Sequence, residues 1–174
     1  MKKTLLLYWA PGGSVELAAK AICEEIGTDK VEISDVASFD ISKLNAYENF
    51  IIGSATVGAE DWRDTKDNNK WNEFFVKTRE FDFSTKKIAA FGLGNQILYP
   101  EHFVDSLGYM KRQVEERNGK LIGAWPDEGY DYTDSEGTAN GMFFGLALDH
   151  DQQPELTAVR IEAWVDLLSE EMDF

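Results

Sequence analysis

The chain has 174 residues, enough to bury a substantial core, and its 43% apolar and 13% aromatic content argues against a disordered polymer. Lys and Arg number 17 against 32 Asp and Glu, so the net charge is −15; such a chain repels nucleic acid and anionic membrane and is steered toward basic protein surfaces. A single cysteine, Cys23, excludes an internal disulfide, and with only His102 and His150 beside it a Cys/His metal cluster is not expected.

The opening MKKTLLLYWAPGG resembles a secretory leader, but its apolar stretch stops after six residues at a Pro-Gly-Gly turn. No run reaches transmembrane length. The expectation is a cytoplasmic protein folded as a single domain over residues 1–174.

Thr4 to Trp9 is continuously apolar, the mark of a strand buried on both faces. Val15, Ala18, Ala19, Ile22 and Ile26 follow at helical spacing, with Ser14 as the expected N-cap and Gly27 as the stop. Cys23 shares that apolar face and reads as a buried structural thiol. Val31 to Ile33 is a short strand and Asn49 to Ser54 a buried one. Trp71, Phe74, Phe75 and Thr78 mark a helix face after a polar loop. Lys87 to Leu93 is the fourth strand, Pro100 is placed to open the next helix, and Leu121 to Trp125 is the fifth strand. Pro126 to Asn140 is acidic and carries Gly and Tyr, an excursion rather than a core element. Met142 to Leu148 is strand-like again, and a last helix begins at Pro154 with Leu156, Val159, Ile161, Trp164, Val165 and Leu168 as its apolar set. Strands alternating with helices predict an α/β domain around a doubly wound, five-stranded parallel sheet.

In such sheets ligands bind beyond the carboxyl ends of the strands, where the strand order reverses. Three loops leave such ends. Residues 10–15 carry a Gly pair, 54–62 (SATVGAEDW) small residues, and 94–100 (GNQILYP) an amide pair and Tyr99. Small residues let the backbone approach a ligand, and Tyr99 offers a flat face to a ring. Nothing in them reads as a nucleophile or general base.

The later segments FGLGNQILYPEHFVDSLG, GAWPDEGYDYTDSE and GMFFGLALDHDQQPELTAVRIEAWV resemble, nearly end to end, the long-chain flavodoxins. The resemblance implies strand order 2-1-3-4-5, a last strand split by an insertion near 126–140, and a small electron carrier that is not an enzyme. It implies noncovalent FMN, with phosphate in the first loop and the ring between the second and third. Redox proteins with basic docking surfaces would be its partners, and the carrier itself a monomer.

Carried over by position, the phosphate loop is Ala10, Pro11, Gly12, Gly13, Ser14 and Val15. The family pattern there is Ser/Thr-x-Thr-Gly-x-Thr, so Ala10, Gly12 and Val15 have lost the hydroxyls and only Gly13 fits. Pro11 also removes a backbone donor. Three lost bonds to a charged group would cost roughly 4–9 kcal/mol if additive, or about three to six powers of ten in affinity. What survives is the helix N-terminus at Ser14, with its amides and dipole. In the second loop Thr56 matches the family, and Val57 stands where a Trp usually stacks on the ring. Gly58 begins the Gly58–Ala59 peptide, which in the family flips toward the reduced flavin. In the third, Gly94 and Tyr99 match, Asn95 replaces an Asp that accepts from the pyrimidine edge, and Leu98 replaces a Gly. Trp71 and Trp164 read as core. Trp62 is an alternative ring-stacking residue, and Arg63, Lys66 and Lys70 are solvated unless one reaches the phosphate. Two other functions compete: a binding or regulatory module with the same fold and little or no FMN, and an FMN-dependent NAD(P)H reductase.

Overall fold

In the computed structural model, which describes residues 3–55 and 70–174, the apolar run Thr4–Trp9 forms strand β1 between β2 (Val31–Asp35) and β3 (Asn49–Ala55). The chain adds β2 on one side of β1, then crosses to the other for β3, β4 (Lys87–Leu93) and β5 (Leu121–Ile122), giving a parallel sheet ordered β2-β1-β3-β4-β5. The flavodoxin resemblance implied this order.

Side chains alternate across such strands, and here both faces are covered. Leu5, Leu7, Phe50, Ile52, Ile88 and Ala90 face one layer, packed with Trp71, Phe74 and Phe75 of helix α2 (Lys70–Lys77) and Leu107, Met110 and Val114 of α3 (Asp105–Glu115). Leu6, Tyr8, Ile51, Ala89 and Phe91 face the other, packed with α1 (Ser14–Ile26) and α4 (Pro154–Glu171). The apolar face of α1 is buried as its spacing predicts, Cys23 with it. Trp71 and Trp164 are fully buried, and each indole N–H finds a backbone carbonyl, Gly53 at 3.1 Å and Gly123 at 2.8 Å. Among the described residues no helix is long and apolar enough to cross a membrane, and no group of His, Cys, Asp and Glu could hold a metal ion.

Several boundaries differ from the sequence reading. The N-cap of α1 is Gly13, with no side-chain cap, and Ser14 is the first helical residue. A 3-10 helix (Ile41–Ala46), capped by Asp40, precedes β3. Pro100 does not open α3. The helix starts at Asp105, and the Pro100 carbonyl instead accepts the amides of Thr133 and Asp134 at 2.7 and 2.9 Å.

The fifth strand is split. β5 pairs with Ile88 and Ala89, then the chain leaves and returns as β9 (Leu146–Leu148), parallel to Phe91–Leu93 of the same β4. The segment between is no loose excursion. Trp125–Pro126 (β6), Thr138–Ala139 (β7) and Met142–Phe143 (β8) form a small antiparallel sheet ordered β6-β8-β7. Tyr130, Tyr132 and Phe143 pack on Phe103 with centroids 5.4–5.9 Å away. Trp125 donates to the Tyr130 hydroxyl at 3.0 Å, and that hydroxyl donates to Ala147 O at 2.6 Å. Burial pushes the Tyr130 phenol up to about 12, against the lowering effect of Arg160 and of the Trp125 hydrogen bond. The apolar run Met142–Leu148 therefore serves two sheets, bending at Phe144 and Gly145.

Candidate functional site

Strand order reverses between β1 and β3, and in such sheets ligands bind at the carboxyl edge beside that point. The loop after β4 lies beside it.

Ala10, Pro11, Gly12 and Gly13 are exposed, and Ser14 is half-buried. Gly12 has φ +84°, where a side chain would be strained. A Cβ built on Gly12 or Gly13 meets nothing within 4 Å, so the space before the helix is open. Val15 turns its side chain into the core, 4% exposed, and contributes only its backbone to the loop. The amides of Ser14 and Val15 stand in the first turn of α1, which has no helical partner for them. Gly12 N–H donates to the Glu16 carboxylate at 2.6 Å. Lys20 meets the other carboxylate oxygen at 2.5 Å. The hydrogen bonds from Lys20 and Gly12 hold the Glu16 carboxyl below its ordinary range, so it is ionised at neutral pH.

Thr56, Val57, Gly58 and Ala59, together with Trp62, Arg63 and Lys66, lie outside the described residues. Lys70 pairs with Glu73 at 2.7 Å.

The third loop is tightly wound. Gly94 donates to Leu148 O at 3.0 Å, and a Cβ there would come within 2.8 Å of the Phe103 ring. Asn95 Oδ1 accepts from the amides of Ile97 and Leu98 (3.1 and 2.9 Å) and from Gln152 Nε2 (3.2 Å), while Nδ2 donates to Asp151 at 3.1 Å. The Asn95 side chain thus holds the loop itself. Its neighbours Ile97, Leu98 and Tyr99 are 56%, 67% and 41% exposed, an apolar rim at the carboxyl edge.

Sequence reasoning missed what fixes this loop. Gln96 is 2% exposed. Its amide donates to Asp149 Oδ2 at 2.9 Å, and its side-chain carbonyl accepts from Asp131 N. Asp149, fully buried just after β9, accepts from Gln152 N through its other oxygen at 2.9 Å. The signal was present: an Asp directly after an apolar strand, with polar residues two and three positions on, is an Asx-turn pattern.

The flavodoxin family model matches residues 6–164. The chain belongs to the flavodoxin family. It is 38% identical to a flavodoxin from a Nostoc species over 170 residues, covering 98% of this chain and 97% of that one. It is 37% identical to Flavodoxin 1 of Escherichia coli over 173 residues, 99% and 96% of the two chains. Among solved structures, the Fusobacterium nucleatum flavodoxin bound to flavin mononucleotide superposes with TM-score 0.87 at 27% identity, covering 99% of this chain and all of that one. The oxidised Flavodoxin 2 of Bacillus cereus shares the fold, with TM-score 0.69 at 19% identity. Flavodoxins are electron-transfer proteins rather than enzymes.

Proposed function

We propose that this flavodoxin binds FMN noncovalently at the carboxyl edge of its sheet and carries electrons between redox proteins in the cytoplasm as a monomer. The observation that carries the reading is the α1 N-terminus, where nothing lies within 4 Å of a Cβ built on Gly12 or Gly13, at the edge where Tyr99 is half exposed. The flavin supplies the electron-carrying chemistry; the chain supplies orientation and electrostatics. Gly12, Gly13, Ser14 and Val15 hold the phosphate through backbone N–H groups, Gly12 once its amide leaves the Glu16 carboxylate, with the Ser14 hydroxyl as the one side-chain donor in the loop. Gly94, Asn95 and Tyr99 form one wall of the ring site, Tyr99 offering the ring face and Asn95 the loop's shape. Thr56, Val57, Gly58 and Ala59 form the other, by their positions in the family pattern. Partners present basic surfaces, because a net charge of −15 attracts them.

The phosphate grip is weak, since three hydroxyl positions are Ala10, Gly12 and Val15. A helix terminus alone contributes about 0.3–2 kcal/mol. The apoprotein titrated with FMN and riboflavin in parallel should bind both and prefer FMN by about tenfold. Binding of neither flavin would overturn the electron-carrier reading in favour of a binding module that retains only the fold.

A further inference from the structure

Resting on that reading, we infer that Glu16 is an internal anion that competes with the FMN phosphate and sets how far the protein distinguishes FMN from riboflavin. Helix N-termini attract anions because their leading amides lack partners and the peptide dipoles add. Here part of that demand is met from within the chain. Glu16 is the third helical residue, the position from which a Glu side chain reaches back to the N-cap amide in a capping box. In this chain it reaches one residue further, to Gly12 in the binding loop itself, at 2.6 Å. Gly13, the N-cap, has no side chain to complete a box, so the contact is one-sided.

Both carboxylate oxygens are committed: Oε2 to Gly12 N–H and Oε1 to Lys20 Nζ at 2.5 Å. The buried Tyr8 stands beside them, and burial first, then the Glu16 charge, raise its phenol. Glu16 is only 21% exposed for a side chain in a first turn next to a surface loop. It is held against the loop rather than extended into water.

A phosphate that reaches the Gly12 amide meets this carboxylate. Two like charges about 4 Å apart repel by roughly 1 kcal/mol even in water, and by more near protein. FMN loading therefore requires Glu16 to turn away from Gly12 and release an amide donor. Riboflavin has the same ring and ribityl chain without the phosphate, and leaves the Glu16–Gly12 contact in place. The competition makes Glu16 a specificity-determining residue, and it acts where the loop has a single hydroxyl, that of Ser14, to set against it.

The test is a flavin titration of apoprotein by fluorescence quenching, with wild type, Glu16→Gln and Glu24→Gln. Gln keeps a group able to accept from Gly12 but removes the charge. Glu24 is exposed on the same helix, away from the loop, and controls for a general loss of one negative charge. Glu16→Gln should tighten FMN by about tenfold and move riboflavin by less than about twofold, and Glu24→Gln should move neither beyond about twofold. An unchanged FMN-to-riboflavin ratio in Glu16→Gln would overturn the proposal, as would a parallel loss of both affinities, the result of a helix cap alone. An equal gain of FMN affinity in Glu24→Gln would also sink it. Flavin binding by wild type tests the parent reading separately, because the ratio between variants is measured only after binding is seen.

Discussion

His102 and Asp105 show what single side chains do beside the third loop. His102 Nδ1 lies 2.9 Å from Asp105 Oδ2, and Asp105 also accepts from Glu136 N at 2.8 Å. The hydrogen bond to Asp105 raises the imidazole above its ordinary value. Burial raises the Asp105 carboxyl, against the lowering effect of the Glu136 amide and His102. A raised histidine contributes stability that is complete below about pH 6.5 and fades as pH rises through the folded-state value. His102 is 42% exposed, so the contribution is under about 1 kcal/mol. His102→Gln should therefore lower the melting temperature at about pH 5.5 and leave it unchanged by about pH 8.5. A difference that grows toward high pH would refute the assignment. Residues of this kind were hard to read in advance. Arg117 donates to the carbonyls of Phe75, Thr78 and Gln113, and Arg160 lies 4.0 Å over the Tyr130 ring. Both look like ordinary surface cations in sequence, because the backbone carbonyls and rings they meet belong to distant segments. The Val15 side chain turns to the core and that of Asn95 to its own loop, which position in a motif does not reveal.

Elements were legible where one periodicity ran uninterrupted. β1, β3 and β4 are apolar on both faces and lie where the sequence put them; so does the α1 stripe from Val15 to Ile26. The failures came where one apolar run serves two structures. Met142–Leu148 reads as a strand, but β8 belongs to the small antiparallel sheet and β9 to the main one. Gly145 lies between them, and a Cβ there would come 2.1 Å from Ala90 O and 2.8 Å from its carbonyl carbon. Those are backbone atoms and cannot swing aside. Gly145→Ala should cost about 1–3 kcal/mol and lower the melting temperature by about 2–12 °C in a thermal scan. A shift below about 1 °C would show that β9 can move away from β4 at no cost. Pro100 failed as a helix start for a related reason. Its carbonyl is claimed by Thr133 and Asp134 of the insertion, so the chain stays in turns until Asp105.

For the molecule as a whole, charge and topology govern different properties. A net charge of −15 on 174 residues opposes compaction by self-repulsion and speeds encounter with a basic partner. Salt screens both effects. Raising ionic strength from about 0.01 M to 0.15 M shortens the screening length from about 30 to 8 Å. The melting temperature should rise by a few degrees over that range while the association rate with a basic redox partner falls by about tenfold or more. A melting temperature that falls, or an association rate that ignores salt, would show that local ion pairs such as Glu16–Lys20 outweigh the net charge. Composition, strand periodicity and the turn residues were enough to determine an acidic α/β protein with three loops at one sheet edge, since burial on two faces leaves a local imprint at every strand. Only the tertiary structure decided that the insertion is a packed sheet tied to the third loop through Gln96 and Asp131. It also decided that the amide of Gly12 is already held by Glu16. Both depend on where a side chain points after the backbone has folded, and spacing along the chain does not encode that direction.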